Sequence, residues 1–167
     1  MTSRAVFDCV VFLQGAARET GPAGACFRLM KEGAVTLCLS PQVLAEVSDV
    51  LTRPKSRQRF KTLTAERVQT FLQELRAKAV FFDAVPQVFT YPRDPDDEPY
   101  VNLALVAGAR YLVTWDNDLL DLMNEATPEG KDFRQRFPNL AILNPVDFLQ
   151  QLSPKEGQSP SAEASPS

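Results

Sequence analysis

The chain contains no histidine in its 167 residues. Imidazole catalysis and histidine-ligated zinc are therefore excluded. Cysteine is scarce: Cys9, Cys26 and Cys38 form an odd, scattered set without CxxC spacing. They exclude a thiolate zinc site and a disulfide framework, and read as small buried hydrophobes in a reducing compartment. No apolar run approaches the length needed to cross a bilayer. The N-terminus enters an apolar stretch at once, with no signal-peptide cleavage pattern. Charge of one sign is also lacking: a formal net charge of −3 gives no global steering toward nucleic acid, while leaving room for a local basic patch. Residues 153–167 contain no large apolar side chain, so a disordered tail is expected after a single domain at 1–152.

What remains is ordinary for a soluble globular domain, with 44% hydrophobic and 23% charged residues. Ala5–Leu13 is an apolar run broken only by Asp8, which predicts a strand buried on both faces. Gly21-Pro22 opens a short helix closed by Gly33, and Val35–Leu39 reads as a second strand. Ser40-Pro41 is a hydroxyl cap followed by proline at the first helical position, and that helix runs to about Thr52, before Pro54. Thr64 caps a helix to about Lys78, with Val68, Phe71, Leu72 and Leu75 as its apolar stripe. Ala79–Phe82 reads as a strand. Pro99 suits the first turn of a helix bearing Val101, Ala104, Leu105 and Gly108. Tyr111–Thr114 is a strand, Asp118–Asn124 a short helix, Leu140–Leu143 a last strand, and Asn144-Pro145 starts a last helix. This alternation implies an α/β fold: a mostly parallel sheet in a three-layer α/β/α arrangement.

Acidic residues stand where such a fold places ligands, at the carboxyl ends of strands. They are Asp8 in AVFDCVVFL, Glu46 in SPQVLAEVSDVL, Asp97 in RDPDDEPYVNLAL, and Asp116 and Asp118 in YLVTWDNDLL. Each has a plainer reading. A lone Asp8 can be satisfied by backbone N–H groups at a strand end. Glu46 lies about 40° from Val50 around its helix, at the border of the apolar face. Acids before Pro99 are ordinary helix caps, and Asp118 can cap the following short helix. Gathered together, the carboxylates would repel unless a cation lay between them, and an oxygen-only site suits a hard divalent ion. Thr114 is placed to orient a carboxylate through its hydroxyl.

In order and context these motifs resemble the PIN domain family, in particular its PIN-type toxin branch, over about residues 4–152. The resemblance rests on Asp8 in the first strand, SPQVLAE ending at Glu46, DPDDE from Asp94, and TWDNDLL from Thr114. It implies that Asp8, Glu46, Asp97 and Asp116 are catalytic, with Asp8, Asp97 and Asp116 as ligands of Mg²⁺ or Mn²⁺. Glu98, Thr114 and Asp118 would support them. Asp97 is preferred to Glu98 because the family places this acid eleven residues before a helix-ending glycine, here Gly108. Cys9 and Val10 stand where the family usually has polar residues, and Trp115 where it often has a small or charged one. The implied activity is metal-dependent endoribonuclease cleavage of RNA. The implied setting is a cytoplasmic, homodimeric toxin held by an antitoxin protein, with no membrane association. The alternative is a degenerate PIN domain that binds RNA or protein without cutting, motivated by Cys9 and Val10. A phosphoacceptor or phosphatase domain is opposed by Asp8-Cys9-Val10, which supplies neither an acidic pair nor DxD. For RNA contacts, Arg53, Lys55, Arg57, Arg59 and Lys61 form a cationic run suited to phosphates, or else a solvated loop.

Overall fold

The computed structural model describes residues 2–152, so the tail expected at 153–167 lies outside the described residues. A five-stranded, all-parallel sheet in the order β3-β2-β1-β4-β5 forms the centre. Its strands are β1 (Ser3–Phe7), β2 (Val35–Leu39), β3 (Val80–Phe81), β4 (Tyr111–Val113) and β5 (Ala141–Leu143). Between and after them run α1 (Cys9–Ala17), α2 (Pro22–Lys31), α3 (Pro41–Thr52), α4 (Pro54–Arg59), α5 (Ala65–Lys78), α6 (Glu98–Ala107), α7 (Asn117–Leu120), α8 (Pro128–Arg136) and α9 (Pro145–Leu152). Helices cover the sheet, as the α/β alternation implies. Helix α6 packs on β1, β2 and β4, while α2 packs on β2 and α9 on β4 and β5.

The central strands are continuous apolar runs because both of their faces are covered. Ala5, Val6 and Phe7 of β1 and Leu112 and Val113 of β4 have no exposed surface. Phe7 lies edge-on to Phe27 of α2 and Phe148 of α9, at ring-centroid distances of 5.1 and 6.0 Å. Chain order builds outward from β1 through β2 to β3, then crosses to β4 and β5. The strand order therefore reverses between β1 and β4, the kind of crevice where ligands bind in open α/β sheets. Registered pairing of Phe7 with Val113 sets Asp8 and Thr114 side by side at that point.

Several starts and stops follow the expected chemistry. The Ser40 hydroxyl accepts from Val43 N–H at 3.1 Å, and the Thr64 hydroxyl from Arg67 N–H at 3.1 Å. Gly108 ends α6 with φ +62°, a left-handed conformation that glycine adopts without a Cβ clash.

Other elements correct the sequence reading. The run Ala5–Leu13 is not one strand: β1 stops at Phe7 and α1 starts at Cys9, with Asp8 as its N-cap. A buried helix and a buried strand share the same unbroken apolarity, so periodicity alone does not separate them. The basic run is not a loop, since Pro54–Arg59 forms α4. The helix expected at Asp118–Asn124 is α7 followed by a 3₁₀ turn at Asp121–Met123. Helix α8 has no counterpart in the sequence reading, because it is almost wholly polar and buries only Gly130 and Phe133. Thr127-Pro128 nevertheless repeats the cap signature of Ser40-Pro41, and the Thr127 hydroxyl accepts from Gly130 N–H at 3.0 Å.

Candidate active site

A cavity of about 350 Å³ opens at the carboxyl ends of β1 and β4, lined by Asp8, Cys9, Val10, Glu46, Asp96, Asp97, Tyr100, Trp115 and Asp116. Asp8 reaches it because it caps α1 directly after β1. Its Oδ1 accepts from Val11 N–H at 3.1 Å, and its Oδ2 accepts from the Thr114 hydroxyl. The same Thr114 oxygen accepts from Asp116 N–H at 2.9 Å. Thr114 has no exposed surface, so this one hydroxyl ties the end of β1 to the loop leaving β4. Burial, and secondarily Asp116, push the Asp8 carboxyl up to about 6, against the lowering effect of Thr114 and the backbone.

Asp97 enters from the other side. Pro95–Asp97 forms a 3₁₀ turn into α6, and the Asp97 side chain caps nothing. The residue is 8% exposed, and its Oδ2 is buried without a hydrogen-bond partner. Asp94, Asp97 and Asp116 each offer a carboxylate oxygen, and these atoms lie within 4.8 Å of one another. Burial, then Asp116 and Asp94, push the Asp97 carboxyl up to about 9. Asp94 is also raised, first by burial. A buried, unpartnered carboxylate oxygen among like charges fits a hard, oxygen-ligated divalent cation, which would supply the missing partner and cancel the repulsion. The absence of histidine and of a nearby thiolate set agrees with that choice.

The remaining expected residues separate into distinct places. Glu46, on α3, lines the cavity outside the close carboxylate group, and its Oε1 accepts from the Tyr100 hydroxyl at 2.7 Å. Glu98 faces away from the group: its Oε1 accepts from Gln87 Nε2 at 3.0 Å and its Oε2 from Tyr91 N–H at 2.6 Å. It secures the segment before the DPDD turn. Asp118 does not cap α7; Asp116 does, accepting from Asp118 N–H at 2.8 Å. The Asp118 carboxylate instead pairs with Arg93 at 2.8 Å, and Arg93 also reaches Asp121 at 2.7 Å. The five cations Arg53, Lys55, Arg57, Arg59 and Lys61 are all exposed, and α4 follows directly on the Glu46 helix. Arg53 is partly committed, being bound to Asp49 at 2.6 Å.

Sequence reading misses Asp94, whose carboxylate has a ready explanation as a helix cap, and Tyr100, which looks like a plain helix residue. It also misses buried Asn102, whose Oδ1 accepts from Val88 and Phe89 N–H at 2.9 and 2.8 Å. A signal exists for Tyr100: it stands three residues after Asp97, on the same helical face.

Among the described residues no helix is long and apolar enough to cross a membrane. Comparison with curated proteins finds no match. A PIN domain family model matches residues 4–118. The matched span runs from β1 into α7 and includes Asp8, Glu46, Asp94, Asp97, Asp116 and Asp118. PIN domains usually use divalent metals, and the Asp94, Asp97 and Asp116 group is compatible with one. By this match over most of its length, the chain belongs to the PIN domain family, whose members are generally nucleases.

Proposed function

We propose that the chain is a divalent-metal-dependent endoribonuclease, acting as the toxin of a toxin–antitoxin pair. The observation that carries the metal-dependent reading is that Asp97 has a buried, unpartnered Oδ2 and offers a carboxylate oxygen within 4.8 Å of those of Asp94 and Asp116. Asp94, Asp97 and Asp116 would hold Mg²⁺ or Mn²⁺, with Asp8 beside them. Such an ion, when bound, supplies Lewis-acid stabilisation of charge at the scissile phosphate and acidifies water. The chain's own residues do the rest. The Thr114 hydroxyl holds the Asp8 carboxylate and the Asp116 backbone N–H, and Asp118 N–H holds the Asp116 carboxylate, so both acids are set before substrate arrives. Tyr100 holds Glu46 in the lining of the same cavity, where that carboxylate can orient water or accept a proton.

The non-cutting alternative draws on Cys9 and Val10, which lack the polar groups the family usually has beside Asp8. Support for Asp8 comes from elsewhere: Thr114 and Val11 N–H hold both of its oxygens. Cys9 is not a substitute nucleophile, because burial and then Glu46 push its thiol up to about 11. Cleavage is therefore the favoured reading. An antitoxin protein, a homodimeric state and a cytoplasmic setting belong to this proposal through the resemblance to PIN-type toxins. The direct test is incubation with single-stranded RNA in Mg²⁺ or Mn²⁺. Internal cleavage that EDTA stops is the expected result, and intact RNA in both metals would overturn it.

The cationic run is proposed to hold the RNA backbone. Arg57→Glu with Arg59→Glu should weaken affinity for RNA of any sequence. It should also lower the slope of log affinity against log salt by roughly one for each phosphate no longer neutralised. Binding isotherms at several salt concentrations measure this, and an unchanged slope would mean that α4 faces solvent or a protein partner.

A further inference from the structure

We infer that Trp115 is a stacking platform for an unpaired nucleobase at the mouth of the acidic cavity. The inference rests on the RNA-cleaving reading above and adds to it a contact with the base beside the cut site.

Trp115 lies between Thr114 and Asp116, the two residues that anchor the β4 side of the site. It lines the same cavity as Asp8, Asp97 and Asp116. An aromatic side chain of this size is normally driven inward, yet Trp115 is 37% exposed. Its position is held: the indole Nε1–H donates to Gln14 Oε1 at 2.7 Å. Gln14 stands four residues after Val10 on α1, so both occupy one helical face. Val10 is itself 46% exposed and also lines the cavity. Trp115 and Val10 thus give apolar surface to the cavity that Asp8, Asp97 and Asp116 also line. No packing within the described residues demands an exposed tryptophan there.

A cation held by the carboxylates would serve the phosphate and leave the base attached to it without a contact. A flat aromatic face beside them suits that base, since stacking accepts any base and requires it to be unstacked from its neighbours. A duplex keeps its bases paired and offers none to the indole. The Gln14 contact sets the ring before substrate arrives, which lowers the ordering cost of binding.

Trp115 is the single tryptophan of the chain, so its fluorescence reports on this surface alone. The experiment uses the full chain carrying Asp97→Asn, in Mg²⁺, to suppress turnover. Titration with a short single-stranded RNA should quench the indole saturably. A duplex of the same sequence, and an abasic ribose-phosphate chain of the same length, should quench far less. Anisotropy of labelled RNA should show Trp115→Ala binding about 5- to 100-fold more weakly, with Trp115→Phe near wild type. Trp115→Leu, which keeps apolar bulk without a planar ring, should resemble Trp115→Ala, and melting curves confirm that each variant is folded. Binding seen by anisotropy without quenching, or equal affinity in Trp115→Ala, overturns the inference and marks Trp115 as a protein contact instead. Absence of RNA binding by either method overturns it as well. The two readings fail separately. Stacking without cleavage by the unsubstituted chain defeats the nuclease and leaves the platform. Cleavage by Trp115→Ala at an unchanged KM defeats the platform and leaves the nuclease.

Discussion

Asp97→Asn is expected to abolish cleavage while raising the melting temperature of the metal-free chain. The two effects have one cause. Asp97 is buried beside Asp94 and Asp116, and one of its oxygens has no partner. Its carboxyl is pushed up to about 9 by burial and by those two neighbours. At neutral pH folding must therefore either bind a proton there or hold three crowded charges. Asparagine has nearly the same shape, no charge, and an amide N–H₂ that can donate toward the neighbouring carboxylates. Removing the protonation cost should stabilise the metal-free protein by on the order of 2–4 kcal/mol at neutral pH. A cation, however, loses a charged ligand, and the Lewis-acid contribution to the transition state is worth several kcal/mol, so kcat should fall by about 10³ or more. Thermal melts in EDTA and single-turnover cleavage in Mn²⁺ check the pair. Retained cleavage would remove Asp97 from the centre. A fall in melting temperature would mean that the carboxyl makes a stabilising contact, contrary to its buried, unpartnered oxygen.

The same residue shows how much of the site is legible in the chain alone. Asp8 and Asp116 are readable because each interrupts or follows an apolar stretch, where an unexplained carboxylate is costly, whereas Asp97 is singled out from its acidic run only by the resemblance and its spacing to Gly108. The alternation of strands and helices is readable for a related reason: strands buried on both faces leave unbroken apolar runs, and hydroxyl-proline pairs mark helix starts. Asp94 is hidden because acids before a proline-led helix already have a local explanation. Only the 3₁₀ turn at Pro95–Asp97 swings Asp94 toward Asp116, and no periodicity encodes that turn. Glu98 is suggested by its closeness to Asp97 in sequence, yet a helical step beyond Asp97 rotates it onto Gln87 and Tyr91. Asp116 takes the cap role expected of Asp118 because either can accept from a following N–H, and the choice depends on the Arg93 pairing from a distant segment. Local chemistry is visible in the sequence, whereas long-range pairings emerge only in three dimensions.

Stability should fall as pH rises in the metal-free chain and change much less when a divalent ion is bound. In the metal-free chain Asp8 stands at about 6 and Asp97 at about 9, both above the ordinary aspartate value of 3.8 that an unfolded chain approaches. A folded-state pKa raised above its unfolded value means that the native protein binds more protons than the unfolded chain in between. Stability is then greatest below the unfolded pKa and falls as pH rises, first through the Asp8 titration and then through that of Asp97. Metal binding runs the other way, because the ligands must lose their protons and the affinity therefore increases with pH. At a hundredfold excess over Kd the ion adds about 2.7 kcal/mol to the native state. The gap between melting curves in Mg²⁺ and in EDTA should thus be small near about pH 5 and widen toward about pH 8.5. Asp8→Asn and Asp97→Asn should each flatten the EDTA curve and shrink the gap. Calorimetry in buffers of different ionisation enthalpy should show protons released on binding near neutral pH. Curves that stay parallel across this range, with no proton release, would place the ion away from Asp8 and Asp97, because an ion binding there cannot avoid displacing the protons those carboxyls hold.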